Sequence, residues 1–137
     1  MEQRLSLVTL VVDDLSASRR FYAEGLGWRP EFDDPAEVVM FRVGQHTLLS
    51  LWDAERAAEE IGTVTRGGTP PVTLAHNLAT REEVDEVLAL AARAGAPVVS
   101  DAQDRAWGGY SGYFSDLDGF RWEIAWNPGP IGATLIP

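Results

Sequence analysis

A strand, a helix and three strands follow one another twice along this 137-residue chain, and that repeat narrows the possible folds more than any single motif does. In the first copy, Leu5–Val12 is rich in Leu, Val and Thr and reads as a strand. Asp13 and Asp14 supply a helix N-cap before Leu15–Glu24, where Leu15, Ser18, Phe21 and Tyr22 share one face at helical spacing. Gly25 and Gly27 end that helix. Trp28–Phe32, Val38–Val43 and Thr47–Trp52 follow as short strands, separated by Asp33-Asp34-Pro35 and by Val43-Gly44-Gln45-His46. Ala54–Ile61 is a short helical stretch, and the Gly- and Pro-rich segment 62–71 is the linker.

The pattern then restarts. Val72–Leu78 reads as a strand, and Thr80-Arg81-Glu82-Glu83 is a capping box opening a helix with the apolar stripe Val84, Val87, Leu88, Ala91 and Ala92. Gly95 closes it and Pro97 prevents its resumption. Pro97–Ser100, Gly112–Ser115 and Arg121–Trp126 supply strands, with Asp116-Leu117-Asp118-Gly119 as a hairpin turn. The expected organisation is one domain over 1–137: module one at 5–61, linker at 62–71, module two at 72–128 and a C-terminal tail at 129–137. A lone βαβββ unit leaves one sheet face bare. Two such units can pair their sheets into a curled, half-open mixed β-sheet with helices outside, an α+β fold with a concave pocket.

Charge and composition exclude several partners. The net charge is 11 − 21 = −10, and every basic residue is arginine. Phosphate backbones need clustered cations, so no nucleic-acid partner is expected. No apolar run approaches the ~20 residues that span a bilayer, so no membrane role is expected. The start, MEQRLSLV, lacks a signal-peptide pattern, and a cytoplasmic location is the expectation. With no cysteine, thiolate chemistry is absent. No P-loop, dinucleotide fingerprint or Gly-x-Ser-x-Gly elbow occurs.

Three segments carry a family likeness in the right order. VTLVVDDLSASRRFYAEGLGW resembles the opening module of the vicinal oxygen chelate superfamily, the glyoxalase, bleomycin-resistance protein and extradiol dioxygenase group. LAHNLATREEVDEVL resembles the start of its second module, and WGGYSGYFSDLDGFRWEIAWNP its last. Together they cover Leu5 to Pro128, a glyoxalase-like branch. The family turn usually reads DPDG; here Leu117 replaces the proline, which leaves the hairpin intact.

The resemblance implies four metal-ligand positions, usually His or Glu, on the first and last strand of each half, suited to Fe, Mn, Ni or Zn. Carried over, they fall on Leu7 or a neighbour in Ser6–Thr9, within Thr47–Leu51, near Thr73, and on Glu123. Only Glu123 is a ligand type. No cofactor is therefore expected, with a divalent transition metal as the alternative. His76 stands three residues after the Thr73 position, on the other face by strand period, unless a bulge reverses it. His76 remains a candidate acid/base or ligand beside Glu123. His46 reads as a solvated turn residue.

In WEIAW, Trp122, Ile124 and Trp126 share one face, leaving Arg121, Glu123 and Ala125 on the other. With the Trp face under the helices, Glu123 faces a cavity as a base or ligand anchor; a salt bridge to Arg121 or Arg105 is the structural alternative. In Trp107–Phe114, Gly108, Gly109 and Gly112 permit close backbone approach among aromatics that suit a planar or cationic ligand. The expected pocket comprises Trp52, Trp107, Tyr110 and Glu123, with Phe114 in the core.

Three functions follow. One is a metal-independent small-molecule-binding protein that sequesters or carries an aromatic or cationic compound, as the bleomycin-resistance proteins it resembles do. The alternative is a glyoxalase-like lyase, isomerase or dioxygenase using Glu123 with His76. A regulatory subunit with a vestigial pocket is a third. The resemblance also implies a homodimer, and the apolar tail could pack on a partner.

Overall fold

Each half of the chain builds its sheet by bringing its first strand back beside its last. The computed structural model describes all residues, Met1–Pro137, and the chain divides into two compact units, Met1–Gly67 and Gly68–Pro137. The division falls inside the Gly/Pro-rich stretch 62–71, which holds no helix or strand.

The first unit runs β1 (Leu7–Val12), α1 (Leu15–Arg20), β2 (Pro30–Asp34), β3 (Val38–Gly44), β4 (Thr47–Asp53) and α2 (Ala54–Ile61). Its sheet has the order β1-β4-β3-β2, with β1 parallel to β4 and the other pairs antiparallel. Asp14 caps α1, its carboxylate accepting from the Ala17 N–H at 2.8 Å. Leu15, Ser18, Phe21 and Tyr22 are all buried, as their spacing predicts. The Tyr22 ring lies 5.9 Å from Phe41 and 5.4 Å from Trp28, which places α1 over the sheet face that carries Leu10, Val39, Leu49 and Leu51.

Several bounds differ from the sequence reading: besides one-residue extensions of β3 and β4, β2 runs on through Asp33 and Asp34, which pair with Val39 and Val38 instead of forming a break. β1 begins at Leu7, because the ladder with β4 starts there; Leu5 is exposed. After Arg20 the helix widens into a π-turn, Phe21–Gly25, and the left-handed residue that ends it is Gly27, at φ 78°. β2 starts at Pro30, since Trp28 turns inward against Tyr22 and Phe41 instead of joining the strand.

The second unit runs β5 (Thr73–Leu78), α3 (Arg81–Arg93), β6 (Val99–Asp104), β7 (Tyr110–Ser115), β8 (Arg121–Trp126) and α4 (Pro130–Ala133). The order is β5-β8-β7-β6, again with the first strand parallel to the last. The capping box forms in full: the Thr80 hydroxyl accepts from the Glu83 N–H, and the Glu83 carboxylate accepts from the Thr80 N–H. Val84, Leu88 and Ala91 are the buried stripe of α3.

β6 is later than the sequence reading had it. The polar run Ser100–Asp104 pairs with β7 through a bulge between Ser100 and Gln103. That bulge sits against Gly112. A Cβ there would lie 2.5 Å from Leu88 Cδ1, 2.6 Å from the Ser100 carbonyl oxygen and 2.8 Å from the Ala102 nitrogen. Only glycine lets helix and edge strand come this close. β7 likewise starts two residues early, at Tyr110, paired with Asp104 and Trp126. The fold is thus α+β, two four-stranded mixed sheets with helices, neither closed. No helix is long and apolar enough to cross a membrane.

Candidate functional site

Strand register sorts the second sheet into two faces. Tyr110, Gly112 and Phe114 on β7 pair with Trp126, Ile124 and Trp122 on β8. This is the face under α3, because Leu88 abuts Gly112 and the Arg81 guanidinium lies 4.1 Å from the Tyr110 ring centre. Phe114 and Trp122 stack with planes 7° apart and centres 6.2 Å apart. Burying Phe114 and Ile124 contributes about 1.5–3 kcal/mol each. The Trp side of WEIAW therefore lies beneath the helix, and Glu123 points the other way.

On that opposite face, Ser111, Tyr113 and Ser115 of β7 pair with Ala125, Glu123 and Arg121 of β8, and Thr73, Ala75 and Asn77 of β5 continue the rows. The Tyr113 hydroxyl donates to Glu123 Oε1 at 2.9 Å. Glu123 makes no salt bridge to Arg121 or Arg105; a phenol takes that place. Burial first, and then the bond to Glu123, raises the Tyr113 pKa, so the phenol stays protonated and keeps its hydrogen bond to the carboxylate. Glu123 Oε2 accepts no hydrogen bond. From the β6–β7 turn, Arg105 reaches the same face. Its Nε donates to Ser111 Oγ at 3.0 Å and its Nη2 to the Ser111 carbonyl at 2.8 Å, with its guanidinium carbon 5.6 Å from the Tyr113 ring centre.

The other expected site residues lie elsewhere. His76 pairs with Ile124 in a ladder without a bulge, so it is on the α3 face and does not meet Glu123. It is exposed, yet partial desolvation lowers its pKa. Tyr110 is also on the α3 face, its hydroxyl donating to Asp85 at 2.9 Å. It lines, with Asp85, Leu88, Ala92, Val99 and Asp101, a groove of about 320 Å³ that Glu123 does not share. Trp107 is exposed on the β6–β7 turn; its ring folds over Gly109, where a Cβ would meet ring carbons at 1.7–2.7 Å. Trp52 belongs to the first unit, on the face of β4 opposite α1. His46 is exposed in the β3–β4 turn. Tyr113 is the residue that sequence reasoning missed. Its alternation with Gly112 and Phe114 put it on the Glu123 face, but only cross-strand register sets it opposite Glu123.

The donors present do not fit a metal held as the family resemblance implies. The residue paired with Glu123 on β5 is Ala75. At the matching place in the first sheet, Thr9 pairs with buried Ser50. No group of three or more His, Asp or Glu side chains gathers anywhere. Such sites draw their affinity from ligand number and geometry together.

Comparison with known proteins bears on the whole chain. No curated protein matches the sequence. Among solved structures, a glyoxalase-related enzyme from Fulvimarina pelagi is 35% identical, with a TM-score of 0.84 over 93% of this chain and 90% of that one. A glyoxalase/bleomycin resistance protein/dioxygenase from Nocardioides is 27% identical, with a TM-score of 0.75 over 94% and 89%. A lactoylglutathione lyase from Agrobacterium tumefaciens, 22% identical with a TM-score of 0.71 over 92% and 95%, shares the fold. The family model matches residues 4–124, and the chain belongs to the glyoxalase/bleomycin resistance protein/dioxygenase superfamily.

Proposed function

We propose that this protein binds a small aromatic or cationic compound on the Glu123 face of its second sheet, and sequesters or carries it without a metal. The observation that carries this reading is the Tyr113–Glu123 hydrogen bond at 2.9 Å. It fixes the carboxylate in one orientation and leaves Oε2 as an acceptor for a cationic N–H. The reading includes a homodimer in the cytoplasm.

Calorimetric titration with aromatic amines tests it. Saturable binding is expected, weakened about ten- to a hundredfold in Glu123→Gln, the scale of one charge-assisted hydrogen bond. Silence with every amine overturns the binding reading. A stoichiometric transition metal in the purified protein, lost on Glu123→Ala, overturns metal independence.

The same hydrogen bond supports a second reading. A carboxylate with one free oxygen beside a phenol is a base next to a proton donor, as a glyoxalase-like lyase or isomerase needs. Turnover that falls with both Glu123→Gln and Tyr113→Phe would favour it.

A further inference from the structure

The eleven arginines divide unevenly. Arg4, Arg19, Arg42, Arg56, Arg66 and Arg81 each have an acidic partner. Of the other five, Arg20, Arg29 and Arg93 are exposed. Arg105 and Arg121 are half-buried, and neither meets a carboxylate in a chain with 21 of them. Partly buried charge is costly to leave uncompensated. Both stand on the Glu123 face. Arg105 is fixed at Ser111, and Arg121 lies two residues before Glu123, opposite Ser115. The rows of this face hold no acid other than Glu123, so its local balance is +2 − 1 = +1 within a chain of −10.

Arg105 is also pre-oriented. Its Nε and Nη2, the side edge of the guanidinium, are both spent on Ser111, which is fully buried. The end edge, Nη1 with the second Nη2 hydrogen, bonds to nothing in the chain. Two parallel donors in one plane match the two oxygens of a carboxylate.

We infer that the compound bound over Tyr113 and Glu123 carries a carboxylate, held by the free edge of Arg105. This rests on the Glu123-face reading and adds to it an anionic group beside the aromatic or cationic body. Arg121, at the other end of the row, has no second group fixing its fork and acts only as a diffuse positive charge.

Three probes separate the terms: benzylamine, benzoate, and 4-(aminomethyl)benzoate, which carries both groups. They are titrated into the ¹⁵N-labelled full chain, following the Arg105 Nε–H resonance and the Glu123 and Tyr113 amides. The double-ended probe is expected to bind about tenfold tighter than benzylamine and to move Arg105 Nε–H. Measured against benzylamine in the same variant, Arg105→Gln should abolish that advantage; Arg105→Lys, which keeps the charge but not the fork, should lose most of it. Arg93→Gln should change nothing. If benzylamine binds but the carboxylate adds no affinity and leaves Arg105 unmoved, the inference fails and the small-molecule reading stands. If no probe perturbs the face, both fall.

Discussion

His76 shows how one residue's placement converts into a measurable property. On the α3 side of β5 its imidazole is partly desolvated, which lowers its pKa below the ordinary ~6.5. The unfolded chain then binds the proton more readily than the native one. Stability from this site is complete above about pH 6.5 and is lost as pH falls below it. Asp104 and Glu31, lowered by bonds to Arg81 and Arg42, act only at the more acid pH where carboxylates titrate. Urea midpoints at pH 7 and pH 5 should therefore differ less in His76→Gln than in the parent; an unchanged difference would refute the assignment. The face of His76 was legible from strand period alone, as was that of Glu123 from the alternation in WEIAW. Their neighbours were not. That Glu123 meets Tyr113 and not an arginine depends on how β7 slides along β8, which no local pattern encodes.

At the level of elements, the strongest local signals proved the most legible. The Thr80–Glu83 box closes as its spacing requires, satisfying backbone donors at the start of α3. Thr80→Ala should cost about 1 kcal/mol, read as a lower denaturation midpoint with faster amide exchange concentrated in the first turn of α3. Protection lost evenly across both sheets would contradict that local origin. Arg121–Trp126 and Ala54–Ile61 were legible to the residue. β6 was not, because Val99–Asp104 is a polar edge strand whose residues obey no strict alternation across a bulge. Charges and a bulge on an edge strand also discourage pairing with another chain. The change of helix type after Arg20 was not legible for a related reason: Gly25 and Gly27 mark where the helical turns stop, but the π-turn Phe21–Gly25 accompanies burial of Phe21 and Tyr22, which local spacing does not encode.

For the whole molecule, the order of elements gave the α+β architecture, since two strand–helix–three-strand runs have few ways to bury their apolar faces. The proposed homodimer is checked by sedimentation equilibrium: about twice 15.0 kDa is expected, and a strictly monomeric mass at every concentration would overturn it. The pairing of each unit's first strand with its last carries a further consequence, for synthesis. β1 must wait for β4 before it gains a single ladder hydrogen bond, so neither sheet can grow outward from its first strand as the chain leaves the ribosome. Once Asp53 has emerged, however, every strand of the first sheet has its partner, while the second sheet is still being translated. Translation speed through 54–72 thus sets how long the first sheet has to form before the competing strands of the second appear.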